Sequence, residues 1–243
     1  MASTSETGHA KNIANFQDLI AFVTGYGATY NPSKNSLKIP QLTALISTSQ
    51  TKLADVVTKN TAYNNIVNDR IIAFTGLKGL STRLISALET TNASKEKIND
   101  AKGFNRKMQG KRASAVQTQN DPNAPAPTTI SASQQSYDQL IQHFAGLISV
   151  LQSETSFLPN ENELKIATLS AKQLDLISKN NAVATAYVTV SNSRIARDKI
   201  LYDDATGLVD TALEVKKYVK SVYGVTSPEY AQVKGIEFKN LKR

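Results

Sequence analysis

The chain has 243 residues, 40% of them hydrophobic, with two histidines and no cysteine. That length and apolar content can bury a sizeable core in one large or two small domains, and the absence of cysteine excludes disulfides, thiolate metal sites and cysteine nucleophiles. A net charge of +8 suits an acidic partner, but it is unevenly placed: residues 13–112 carry 14 Lys and Arg against 6 Asp and Glu, a net of +8, and residues 137–243 carry 13 against 12, a net of +1.

The opening Met1-Ala-Ser-Thr-Ser-Glu-Thr-Gly-His-Ala has no basic segment followed by an apolar one, so no signal peptide is expected. No uninterrupted apolar run approaches the roughly 18 residues of a membrane span. The expectation is a soluble cytoplasmic protein. Residues 1–12 read as a flexible polar arm. Phe16, Leu19, Ile20 and Val23 then recur at helical spacing, and Gly25-Tyr26-Gly27 would end that short helix. After the loop Tyr30-Asn31-Pro32-Ser33-Lys34-Asn35, a very long helix is expected from near Leu37 or Pro40, running to Leu88.

Alternating steps of four and three residues through that helix land on Leu42, Ile46, Ser49, Leu53, Val56, Asn60, Tyr63, Val67, Arg70, Phe74, Leu77, Ser81, Leu84 and Leu88, of which ten of fourteen are apolar. This is a coiled-coil-like seam, made to pack against another helix. From Leu42 to Leu88 it would extend roughly 70 Å at about 1.5 Å per residue. Gly76 and Gly79 are its expected kink. Asn92-Ala93-Ser94-Lys95-Glu96 reads as a cap and restart for a third helix over about Lys95–Met108, which closes in the basic run Lys102 to Arg112.

Residues 113–135 are rich in Ala, Ser, Thr, Gln, Asn and Pro, and read as a linker. The pattern then begins again. Tyr137, Leu140, Ile141 and Phe144 repeat the first helix, and Phe157 to Leu169 lies over Tyr30 to Leu42 without a gap, with Pro, Asn, Leu, Lys, Ile and Leu identical at matching places. With the same shift of 127 residues, a second seam runs through Leu169, Gln173, Leu176, Asn180, Val183, Tyr187, Val190, Arg194, Arg197, Leu201, Asp204, Leu208, Thr211 and Val215. Ser227-Pro228-Glu229 repeats the restart, and Lys234 to Arg243 echoes the basic run. The predicted fold is therefore all-α: a tandem duplication of a three-helix unit (short, very long, short), over residues 13–112 and 136–243, packed as one pseudo-twofold bundle.

The opening Met1 to Asn12, the stretch Val23-Thr24-Gly25-Tyr26-Gly27-Ala28-Thr29-Tyr30-Asn31-Pro32 and Asn105-Arg106-Lys107 resemble a group of uncharacterised conserved proteins of Bacteroidetes-type bacteria. The resemblance covers most of the chain. It implies no activity and no site residues.

Histidine is where acid–base or metal chemistry would show, and neither one stands in a motif. His9 falls in the polar arm, and His143 falls where the first unit has Phe22, which favours packing. The glycines form no phosphate loop: Gly76-Leu77-Lys78-Gly79 lacks the Walker spacing, and Gly25-Tyr26-Gly27 lacks a third glycine at dinucleotide spacing. No catalytic residue, cofactor or metal ligand is expected. Arg70 and Arg197 sit at matching seam positions, each beside an aspartate, Asp69 or Asp198. Either they snorkel to the edge or pair with a nearby carboxylate, or, together with Asn60 and Asn180, they specify one alignment of the two units. Lys102, Lys107, Lys111, Arg112 and Lys234, Lys239, Lys242, Arg243 form a candidate basic contact strip for phosphates, although lysine also favours helix C-termini. The reading is a non-enzymatic structural or interaction protein that associates with itself or with another helical protein. A nucleic-acid-associated basic protein is the alternative.

Overall fold

A computed structural model describes residues 6–110 and 135–241. Among these the fold is all-α, with no strand: α1 Thr7–Gly25, α2 Ile39–Phe74, α3 Leu77–Glu89, α4 Lys95–Gln109, α5 Tyr137–Gln152, α6 Ile166–Tyr202, α7 Leu208–Tyr223 and α8 Pro228–Lys234. The linker expected at 113–135 lies outside the described residues except for Gln135. So do Lys111, Arg112, Lys242 and Arg243.

The long helices are real but shorter than expected, α2 having 36 residues and α6 having 37. The first bends at Gly76, whose φ of +81° suits glycine and interrupts the helical ladder before α3 resumes. The second stops at Tyr202, and Gly207 must be small because a Cβ there would lie 2.6 Å from the Asp203 nitrogen. Each expected three-helix unit thus contains four helices. Serine caps set three starts: the hydroxyls of Ser94, Ser136 and Ser227 accept from the Lys97, Gln139 and Tyr230 amides, and Pro228 occupies the first turn of α8.

The chain divides into two compact units. One comprises residues 1–64 and 186–243, and the other residues 65–185. The division falls inside α2 and inside α6. In the first unit, Phe16, Leu19 and Val23 of α1, Leu42 and Ile46 of α2, Leu201 of α6, Leu208, Ala212, Val215 and Val219 of α7 and Val233 of α8 form one core. In the second, Leu77, Leu84 and Leu88 of α3, Met108 of α4, Phe144, Leu147 and Leu151 of α5 and Leu169 and Leu176 of α6 form another. Helix α4 packs closely on α5 because Gly146 yields its side-chain volume to the Phe104 ring, which lies 2.3 Å from where a Cβ would be.

All fourteen residues of the first seam are buried or half-buried. Of the second seam, Tyr187 is exposed within α6 and Asp204 is exposed beyond its end at Tyr202, while Val190, Arg194, Arg197 and Leu201 are buried or half-buried. The polar arm is also corrected. Residues 7–12 belong to α1, and His9 and Asn12 are each 3% exposed.

Candidate functional site

The polar seam residues resolve into separate sites. In the second unit, Arg70 Nη1 donates to Asn180 Oδ1 at 3.1 Å, and its guanidinium carbon lies 4.0 Å from the centroid of the Tyr137 ring. Asn180 in turn donates through Nδ2 to Asp138 at 2.8 Å. The carboxylate expected beside Arg70 is engaged elsewhere, since Asp69 faces Lys179 at 3.7 Å. In the first unit, Arg194 Nη2 donates to Asn60 Oδ1 at 3.3 Å, and the Tyr63 and Tyr187 rings stand 6.1 Å apart. Asn60 and Asn180 are therefore both arginine acceptors. The Arg194 partnership was not anticipated, because nothing along one helix says which residue faces it from another.

Arg197 has the environment that was open for Arg70. Its side chain is 3% exposed and reaches two carboxylates, Nη1 donating to Glu6 and Nη2 to Asp198 Oδ1 at 2.6 Å. Nε also donates to Asp198, at 2.9 Å. A buried guanidinium held by two carboxylates has its charge and most of its donors met.

Next to it in the first unit lies a polar network that sequence reasoning missed. His9 Nδ1 and the Tyr202 hydroxyl are 2.7 Å apart, and Asn12 Nδ2 donates to the same hydroxyl at 3.3 Å. Burial raises the Tyr202 pKa above its ordinary value of 10.0. His9, Asn12, Ile13, Phe16, Leu19 and Val23 share one helical face, and that spacing carried the missed signal. With Tyr202 itself 2% exposed, the network is closed from bulk solvent.

In the second unit, His143 is 9% exposed, and its Nε2 has no hydrogen-bond partner. Burial, and then the nearby Lys107 charge, lower its pKa. Among the described residues, no group of three or more His, Asp or Glu could hold a metal ion.

The basic strip divides by structure. Lys102 pairs with Glu89 at 2.5 Å, and Lys107 lies 5.6 Å from the Phe104 ring centroid. Lys234 ends α8, and Lys239 belongs to a segment without regular secondary structure whose backbone is bonded by Asn12. The two runs that echo each other in sequence thus differ in conformation: 102–109 is helical, whereas 236–241 has no regular secondary structure. Along α2 and α3, Ile39–Glu89 contains an 18-residue window of mean hydropathy 1.3, of which 28% is buried, so this one bent helix is long and apolar enough to cross a membrane.

No family model, curated protein or solved structure matches the chain, and nothing further bears on the resemblance of its opening motifs.

Proposed function

We propose that the protein is a non-enzymatic, cytoplasmic structural or interaction protein that associates with itself through its long helices. The observation that carries this reading is apolar side chains in solvent on helices whose inner seam is already buried. In the first unit Val57, Val188 and Ile195 are 51%, 55% and 64% exposed. In the second, Ile71, Ile72 and Leu174 are 49%, 70% and 67% exposed. Large apolar groups gathered on such faces favour protein contacts, whereas single ones scattered over a surface need no explanation.

The tandem duplication remains part of the proposal. The 127-residue shift that relates the sequences carries the turn Asn35–Leu37 onto Asn162–Leu164, and the start of α2 at Ile39 onto the start of α6 at Ile166. Both facts support an origin in two copies of one unit. Asn60, Arg70, Asn180 and Arg197 would then fix the register in which the copies pack, through the Arg–Asn pairs and the buried Arg197 triad. For the nucleic-acid alternative the pairing of Lys102 and the enclosure of the Lys239 backbone offer little support.

Light scattering over a dilution series tests the reading. A mass that is a multiple of 26.4 kDa and falls on dilution is expected, and Ile72→Glu with Ile195→Glu should lower it while leaving helicity unchanged. A constant monomer mass at every concentration would overturn self-association.

A further inference from the structure

After α8, residues Ile236–Leu241 continue in neither helix nor strand. Their backbone is held by side chains. Asn12 of α1 grips Lys239 at both ends of the residue, Nδ2 donating to its carbonyl at 2.7 Å and its amide donating to Asn12 Oδ1 at 3.1 Å. Asn15 Nδ2 donates to the Glu237 carbonyl at 2.6 Å, and Lys216 Nζ of α7 donates to the Lys234 and Ile236 carbonyls, both at 2.9 Å. Asn12 and Asn15 are 3% and 8% exposed, and asparagine is seldom so buried unless its amide is in use.

Between these bonds the segment inserts apolar side chains at its first, third and sixth positions. Ile236, Phe238 and Leu241 pack against the core, and Glu237, Lys239 and Asn240 stay in solvent. Phe238 stands edge-on to Phe16 at 6.5 Å, and Gly8 makes room for Leu241, whose Cδ1 lies 2.6 Å from where a Cβ would be. A groove of about 380 Å³ lined in part by Lys11, Asn15, Glu237 and Leu241 lies alongside. Bonds to a segment's backbone supply affinity and seats for its apolar side chains supply specificity, the two elements of peptide recognition.

We propose that this face of α1 and α7 is a receptor for a non-helical segment of the pattern apolar-x-apolar-x-x-apolar, and that its partner is the Ile236–Leu241 segment of a second copy of the chain. The inference rests on the self-association reading but uses a different surface. Every contact that seats the segment within one chain is available unchanged to the same segment of another. None of its three anchors is fully buried and no backbone ladder holds it, so it belongs to the less stable, locally opening part of the fold. Exchange between copies then needs only that opening, with Gly235 at the junction, and concentration decides between the two modes.

Two full-length variants test the exchange. Asn12→Ala/Asn15→Ala disables the receptor and keeps the segment; Ile236→Ala/Phe238→Ala disables the segment and keeps the receptor. Mixed at equal concentration, they should form a 1:1 heterodimer by native mass spectrometry that neither forms alone. Only monomers in the mixture would overturn the proposal. Should the first variant fail to fold, a fluorescent peptide of residues 234–243 decides. The second variant should capture it at least about tenfold more tightly than the unmodified chain, whose own segment competes, and no capture by the second variant overturns the proposal. Repeating the mixture with Ile72→Glu/Ile195→Glu in both variants separates the two readings. Failure of the long-helix surface leaves the heterodimer intact, whereas failure of the groove abolishes it and leaves the mass of the unmodified chain unchanged.

Discussion

Arg70 of α2 donates to Asn180 of α6 at 3.1 Å with no carboxylate in contact, and Asn180 passes the polarity on to Asp138 at 2.8 Å. A half-buried arginine with a neutral acceptor and an aromatic face costs less to remove than one opposite a carboxylate. Arg70→Leu should therefore destabilise by roughly 1–2 kcal/mol, the sum of one modest hydrogen bond and one cation–π contact. Asn180→Leu should cost at least as much, because it also frees Asp138. Denaturant melts of both single variants and the double variant would show coupling, and strictly additive losses would refute the Arg70–Asn180–Asp138 chain.

Arg197 should behave differently, although it occupies the matching position in the second seam. Its side chain is 3% exposed, and those of Glu6 and Asp198 are 21% and 17% exposed. Arg197→Ala leaves two carboxylates facing each other across a void and should cost about 3–5 kcal/mol, the scale for breaking a buried pair. Removing Glu6 together with Arg197 should recover part of that loss. A change under about 1 kcal/mol would place Arg197 among ordinary surface charges.

These two arginines show how much was legible in the sequence. Helix positions, the bend at Gly76 and the serine caps follow from local chemistry, and each could be read from neighbours along the chain. Partner choice is non-local. Asp69 and Asp198 sit beside their arginines alike in sequence, yet only Asp198 binds its own, because the fold brings Lys179 to Asp69. Likewise, His9 and Asn12 read as a polar arm because no large apolar residue other than Met1 precedes Ile13. Their burial depends on Tyr202 and the 236–241 segment, some 190 or more residues away. The basic runs match in composition, but their described parts, 102–110 and 234–241, differ in conformation, since α4 packs along α5 while Asn12 and Asn15 capture the later segment.

The second unit should lose stability in acid in two stages. Burial and Lys107 hold the His143 pKa below its ordinary 6.5, so the unfolded chain binds this proton more readily, and stability is lost as pH falls below 6.5. Glu154 accepts from the Ser156 hydroxyl and amide and pairs with Lys97, which holds its carboxyl down at about 2. Its contribution is complete above the ordinary 4.5 and is lost as pH falls from there toward 2. His143→Phe should flatten the upper stage of a melting-temperature profile, and Glu154→Gln the lower. Unaltered profiles would show that neither group governs acid stability.

The composite units make a prediction about chain cleavage. The first core joins Phe16, Leu19 and Leu42 to Leu201, Leu208, Val215 and Val233, and the second joins Leu77, Leu84 and Met108 to Phe144, Leu151, Leu169 and Leu176. Neither core is complete within residues 1–112 or within residues 136–243, so each half of the chain must leave apolar seams uncovered when alone. Separation would expose large apolar side chains at about 25 cal/mol per Å², a penalty that far exceeds the modest entropy gained by opening one connection. A protease site placed within residues 113–134 of the full chain should therefore be cut without release of either half. The two pieces should elute together, with unchanged helicity, and separate only in denaturant. Residues 136–243 expressed alone should aggregate or melt without a cooperative transition, and adding residues 1–112 during refolding should restore one. Two halves that part in native buffer, each keeping its helicity and its own cooperative melt, would show that the cores are not shared in this way and that each half folds as an independent domain.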